Sequence, residues 1–292
     1  MSRQGLLLLA SRLARRFGMG LVSRLPLEPV RRPWFILGCA RSGTTILGRT
    51  LARHRGVTYL NEPRELWASC YPFTDIWSHD AGERGGRLVL GAGAATVIRA
   101  RRLGRLFRRE ARRQGGVRLV EKLPANSFRV PFLRANFPES RVVVIHRNGR
   151  EVARSIGAQA DQGRWWGEGE FRWRQLKALA ARLRPGLEPE GMCPDNYHRG
   201  LLEWTLCNLE LEAGLQRHYP GRVCRVSYRE LVGRPGATLA RVIQFLELEP
   251  DPGLEAFAER AVSRRSRPEA GSRLSGRELA IGGELLLRHR RD

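Results

Sequence analysis

Trp34-Phe35-Ile36-Leu37 runs directly into Gly38-Cys39-Ala40-Arg41-Ser42-Gly43-Thr44-Thr45. Four consecutive apolar residues, stopped by a glycine, predict a short buried strand. Ile46, Leu47 and Leu51 predict a helix over 45–53. The loop between them spells G-x-x-x-x-G-T-T, one position away from the P-loop pattern G-x-x-x-x-G-K-[ST]. Its glycines let backbone N–H groups converge on an anion, and the helix that follows adds the positive end of its dipole. Thr44 and Thr45 supply hydroxyls. Arg41 supplies the cation that the absent lysine would have brought, and a guanidinium can grip two oxygens at once. This unit is therefore expected to hold a phosphate-bearing nucleotide.

The same alternation recurs along the chain. A second strand is read at 118–122 and a helix at 128–137. Arg141-Val142-Val143-Val144-Ile145-His146 is a continuous β-branched run and the clearest strand. A turn at 147–150 leads into a helix from 151, with Val152 and Ile156 on one face. Longer helices are read at 165–184 and 201–218, a strand at 222–227 and a helix at 239–246. Strands alternating with helices predict an α/β fold, a P-loop-like parallel sheet flanked by helices in three layers. Ligands of such sheets bind beyond the carboxyl ends of the strands. That places residues 38–45, Lys122 and Arg147 on one rim.

A length of 292 residues and a 42% hydrophobic fraction suit one sizeable core and exclude a disordered chain. The reading is a single domain over 33–292, preceded by a basic amphipathic segment at 1–32. A Gly- and Arg-rich insertion or mobile lid, rather than core, is expected around 78–116, with a helix over part of it at 97–112. From 263 the chain turns polar, basic and Gly-rich, and is expected to wrap the surface or form a loop. The formal charge of +23 suits an anionic partner: nucleic acid, an acidic membrane surface or an anionic small ligand. Lysine, however, occurs at Lys122 and Lys177 alone. An almost pure arginine excess can reflect the base composition of a genome. The arginines run throughout without a clustered basic-aromatic module, so no nucleic-acid partner is expected. Five scattered cysteines show no CxxC pair and no zinc spacing, which favours a reducing, cytoplasmic setting. The apolar run Leu6-Leu7-Leu8-Leu9-Ala10 is far shorter than the roughly 20 residues of a membrane span. Leu6, Leu9, Leu13 and Phe17 share a helical face, which suits either packing on the core or peripheral contact with an anionic membrane.

Arg147 follows the strongest strand, and Ser155 lies eight residues on, in the next helix. Such a pair can hold a second phosphate from two sides. Together with the first loop it resembles the sulfotransferase family, whose donor is 3′-phosphoadenosine-5′-phosphosulfate (PAPS). Arg41-Ser42-Gly43-Thr44-Thr45 resembles that family's 5′-phosphosulfate loop. Arg147-Asn148-Gly149-Arg150-Glu151-Val152-Ala153-Arg154-Ser155 resembles its 3′-phosphate motif. Glu121-Lys122-Leu123-Pro124-Ala125-Asn126, Leu133-Arg134-Ala135-Asn136-Phe137-Pro138 and Val226-Ser227-Tyr228-Arg229-Glu230-Leu231 also fit, in order, over roughly residues 33–248. The resemblance is closest to the branch with an Arg-Ser-Gly-Thr-Thr loop and a nearby Glu-Pro, which includes bacterial enzymes and tyrosylprotein sulfotransferases. It departs from the cytosolic branch, which has a catalytic His where Glu121-Lys122-Leu123-Pro124 stands and an Arg-Lys-Gly segment near its C-terminus. Arg273 and Ser275-Gly276-Arg277 are the available stand-ins for that segment.

Sulfuryl transfer to an alcohol needs a base for the hydroxyl proton, cations on the transferring group and a stabilised leaving phosphate. Glu62, in Asn61-Glu62-Pro63, is the expected base, with Glu65 and then His146 in reserve. Lys122 is expected at the sulfuryl or bridging oxygen. Arg41, Ser42, Gly43, Thr44 and Thr45 would hold the 5′ group, and Arg147 and Ser155 the 3′-phosphate. The resemblance further implies that Tyr228 contacts the adenine. Arginines would do the neutralising that Mg²⁺ does in P-loop kinases, so no metal is expected. The partner implied is a hydroxyl-bearing acceptor: carbohydrate, glycolipid, small molecule or protein tyrosine. Rival readings are a P-loop kinase or NTPase, a basic nucleic-acid-binding protein, and a relative that binds nucleotide without catalysis. Trp165, Trp166, Trp173, Tyr197 and Trp204 either cover the cleft or pack in helix cores.

Overall fold

The computed structural model describes residues 27–262 and 273–289. Five strands form its sheet: β1 (Trp34–Leu37), β2 (Val57–Asn61), β3 (Arg118–Lys122), β4 (Arg141–His146) and β5 (Val223–Ser227). Their order is β2-β3-β1-β4-β5, and every adjacent pair is parallel. The helices are α1 (Thr44–Leu51), α2 (Arg64–Cys70), α3 (Val97–Gln114), α4 (Val130–Asn136), α5 (Gly149–Ala160), α6 (Phe171–Leu183), α7 (Pro189–Met192), α8 (Asn196–His218), α9 (Tyr228–Gly233), α10 (Pro235–Phe245), α11 (Pro252–Ala261) and α12 (Gly276–Arg288).

The strand alternation splits the core in two. Trp34, Ile36, Val120, Val143 and Ile145 face one layer, where they meet Leu47, Leu51, Leu239 and Ile243 of α1 and α10. Phe35, Leu37, Val142 and Val144 face the other, against Trp67, Phe107, Phe132 and Leu206. Successive side chains of a strand point to opposite faces, so a continuous apolar run needs helices on both sides. The expected three-layer α/β architecture follows. β3, β1 and β4 are central neighbours, so their carboxyl ends lie side by side.

Several local expectations need correcting. The helix expected at 97–112 is present as α3, but it is a crossover helix packed on the core and not a lid, with Leu103, Leu106 and Phe107 fully buried. These residues recur at helical spacing beneath the Gly/Arg-rich composition. The preceding loop is also anchored: buried Arg129 donates to the carbonyls of Thr74, Arg87 and Leu88. The tail is not all loop, because α12 buries Ile281 and Leu286 and begins with a capping box between Ser275 and Glu278. Residues 57–61, given no element in the sequence reading, form the edge strand β2. Residues 165–170 remain outside α6, which begins at Phe171. Trp166, Trp173 and Trp204 lie in the core, while Trp165 and Tyr197 are half-buried. The amphipathic pattern over 6–17 lies outside the described residues. Among the described residues no helix is long and apolar enough to cross a membrane.

Candidate active site

The phosphate-loop candidate turns from β1 into α1. Gly38 has φ of 150°, and a Cβ there would sit 2.4 Å from the Ile145 carbonyl oxygen. Ser127 braces the same glycine, accepting from its N–H at 2.9 Å and donating to its carbonyl at 3.0 Å. Gly43, the N-cap of α1, has φ of 97°, and no side chain caps the helix. The first N–H groups of α1 therefore face outward with no side-chain acceptor, which is the arrangement an anion completes. A Cβ at Gly43 would fall 2.5 Å from the Tyr228 ring, so Tyr228 at the start of α9 packs directly under the loop.

Arg41 takes the left-handed region, φ 71°, and Nε donates to Ser155 Oγ at 2.9 Å. Arg147 donates from an Nη to the Arg41 carbonyl at 3.0 Å, and its guanidinium stacks 4.1 Å over the Tyr228 ring. Trp204 Nε1 holds the Arg147 carbonyl at 3.1 Å, and Glu151 accepts from Arg147 Nε at 2.8 Å. Asn148 caps α5 by accepting from the N–H groups of Arg150 and Glu151. Arg41, Ser155, Arg147 and Tyr228 thus form one contiguous cluster, although they come from three separate stretches of sequence.

Lys122 ends β3 fully buried. Its Nζ lies 3.0 Å from Thr45 Oγ1 and 2.8 Å from Glu62 Oε1. Glu62 follows β2 with φ of 51°, uncommon for a residue with a side chain, and its N–H is held by the Lys122 carbonyl at 2.7 Å. Arg64 closes on the other carboxylate oxygen, Oε2, at 2.6 Å. Burial raises the Glu62 pKa, but hydrogen bonding and charge from Lys122, joined by Arg64, outweigh it and hold the carboxyl below its ordinary range. Burial also lowers the Lys122 pKa, and Glu62 and Glu121 offset this only in part. Beneath them Glu121 is fully buried, accepting from Trp67 Nε1 at 2.9 Å and Asn126 Nδ2 at 3.1 Å. Burial pushes its carboxyl up to about 8.

Every residue expected on the rim is therefore in the neighbourhood of the loop. The reserve candidates are placed elsewhere. Glu65 is exposed on α2. His146 is buried at the end of β4 and stacks on His289, with Glu212 at 3.3 Å. Arg273 and Arg277 are exposed. Arg64 and Ser127 went unread, while Glu151 and Trp204 were read only as part of the 147–155 motif and as a cleft or core aromatic. Arg64, two residues beyond Glu62, was the one with a local signal.

The geometry defines a doubly wound α/β protein with an anion cradle beside a Lys-Glu pair at the sheet's carboxyl edge. The profile of the sulfotransferase family matches residues 33–252, and the chain belongs to that family. The fold is similar to the sulfotransferase domain from the curacin biosynthetic pathway, with a TM-score of 0.53 at 16% identity, covering 88% of this chain and 98% of that domain. It is also similar to a sulfotransferase from Mycobacterium avium, with a TM-score of 0.50 at 15% identity, covering 96% and 79%. In sequence it is 25% identical over 237 residues to an uncharacterized protein of Aquifex aeolicus (strain VF5), covering 76% of this chain. The match spans 26% of that relative's length.

Proposed function

We infer that the protein is an enzyme that moves a sulfuryl group from PAPS to a hydroxyl of an acceptor. The observation that carries this reading is the Glu62–Lys122–Thr45 chain, which ties a carboxylate to the phosphate cradle through one buried ammonium. The cradle fits a donor with two anionic ends. The uncapped N-terminus of α1 with Arg41, Ser42, Gly43, Thr44 and Thr45 suits the 5′-phosphosulfate. Arg147 and Ser155 suit the 3′-phosphate, and the Tyr228 ring beside them suits the adenine.

Glu62 takes the proton as the acceptor oxygen bonds to sulfur. Lys122 and the loop N–H groups stabilise the phosphate oxygen released when the S–O bond to the 5′-phosphate breaks. A preorganised cation that meets charge only as it develops contributes to the rate rather than to ground-state binding. The acceptor is a hydroxyl compound. Lys122 and Arg64 occupy one acceptor site on each Glu62 oxygen, so the carboxylate keeps lone pairs with which to take the proton.

The test is a radiolabelled-sulfate transfer screen against sugars, glycolipids, phenols and tyrosine peptides, paired with calorimetric titration of 3′,5′-bisphosphoadenosine (PAP) and ATP. PAP binding tighter than ATP, with label transferred in the presence of EDTA, supports the reading. Preference for ATP, or transfer lost with EDTA and restored by Mg²⁺, would overturn it.

A further inference from the structure

The α3 helix carries eight arginines and one glutamate in 18 residues. Its buried side is accounted for by Leu103, Leu106, Phe107 and Ala111. The opposite side is not. Ile98, Arg101, Arg105, Arg109 and Arg112 recur at steps of three and four residues, which sets them on one line down the helix. At 1.5 Å per residue that line is about 21 Å long. Arg101, Arg109 and Arg112 are exposed and pair with no acid among the described residues. The helix's single acid, Glu110, is taken by Arg113 at 2.9 Å. At the start of the line Ile98 is 82% exposed and Val97 68%, next to the exposed Gly91-Ala92-Gly93 turn. At its flank Arg102 lines an open cleft of about 370 Å³ with Ser69 and Arg84.

We propose that this face of α3 docks on an anionic lipid bilayer. Unneutralised arginines aligned on a helix attract a negatively charged leaflet, each adding to the attraction within a Debye length. Two exposed branched aliphatics at one end of the line gain nothing from water, but enter the headgroup boundary as an interfacial helix does. A nucleic-acid strand would also meet the arginines. It would leave Val97 and Ile98 idle, and the line offers no aromatic ring for bases to stack on. The cleft beside Arg102 has the size for a phosphate headgroup. Arg105 and Arg108 of the same helix donate to the carbonyls of Leu27 and Glu28, which leaves Arg101, Arg109 and Arg112 as the open cations of the line.

The experiment is co-sedimentation of the full chain with vesicles of pure phosphatidylcholine and of phosphatidylcholine mixed with phosphatidylglycerol. Three variants are compared with the parent: Arg101→Glu/Arg109→Glu/Arg112→Glu, the milder Arg101→Gln/Arg109→Gln/Arg112→Gln, and Ile98→Asp. All three alter exposed side chains, and unchanged thermal melting checks that they fold. The expected result is partition onto the anionic vesicles and not onto phosphatidylcholine. Charge reversal should lower it roughly tenfold or more, and neutralisation by a smaller factor in the same direction. Ile98→Asp should weaken what binding persists at high salt. Indifference of the parent to anionic vesicles overturns the proposal, as does binding that both arginine variants retain in full. So does tighter binding to duplex DNA that the arginine variants abolish and Ile98→Asp leaves untouched.

Discussion

Lys122 Nζ stands 2.8 Å from Glu62 Oε1, a buried ammonium holding a carboxylate that sits in a left-handed backbone conformation. The strained φ and the ion pair belong together. The bond from the Glu62 N–H to the Lys122 carbonyl, at 2.7 Å, turns the chain so that both side chains meet beside Thr45. Strain at a single residue costs on the order of 1–3 kcal/mol and survives where its surroundings over-determine it.

Glu62→Gln keeps the shape and a hydrogen bond to Lys122 but removes the proposed base. Transfer should fall by about 10²–10⁴-fold, the usual worth of a positioned general base, while PAP affinity holds within a few-fold. Transfer kinetics and calorimetric titration on the same preparation check this. A parallel loss of PAP binding would instead make Glu62 part of the donor site.

If Glu62 is the base, the acid limb of the rate profile reports it. A carboxylate acts as a base above its pKa, and Lys122 and Arg64 together hold Glu62 below the ordinary range against the opposing effect of burial. Arg64→Gln removes one of the two cations, so the acid limb of kcat/KM should move to higher pH. A limb that stays in place would detach it from Glu62.

Glu121 predicts a stability effect of the opposite sign. Its folded pKa, pushed up to about 8 by burial, lies above that of the unfolded chain. Between the ordinary carboxylate range and about pH 8 the unfolded state therefore releases a proton that the folded state keeps. Stability should fall as pH rises through that window and level off above it, by a few kcal/mol on the order set by the shift. Glu121→Gln should flatten the trend in melting curves taken from pH 5 to 8. Asn126 Oδ1 is buried without a partner, and turning that amide would let it accept from a protonated Glu121 or from the Gln amide.

Arg147→Ala removes the guanidinium that touches Arg41 and stacks on Tyr228. PAP affinity should drop at least tenfold, in line with a lost charge-assisted contact to phosphate. AMP, which has no 3′-phosphate, should lose much less. Titrating both nucleotides separates a phosphate contact from a general collapse of the loop, which would weaken them equally.

Much of this was local and therefore legible. The 34–45 unit is contiguous, and its strand, glycines and helix start are fixed by short-range sterics, so the cradle could be read before any fold was known. The run at 141–146 was equally plain, because three consecutive valines fit a strand buried on both faces. The α3 helix was read over 97–112 but assigned to a lid and not to the core, since the glycine and arginine content of the segment masked the packing role of Leu103, Leu106 and Phe107. α12 was missed for a related reason: Gly276, Gly282 and Gly283 depress helix propensity, and Arg184 satisfies the carbonyls of Ala280 and Ile281 at the Gly283 break.

The sequence by itself determined the parallel α/β plan, the glycine turn between β1 and α1, and the placing of Lys122 and Arg147 at the strand ends beside it. The physical reason is that period, glycine placement and strand ends act over a few residues. Tertiary structure alone decided which of those residues touch. Arg41 reaches Ser155 across 114 positions and Lys122 reaches Glu62 across 60, because the order β2-β3-β1-β4-β5 brings the carboxyl ends of distant strands side by side. Only there does burial set the charge balance, leaving Glu62 ionised between two cations and Glu121, beneath them, able to keep its proton.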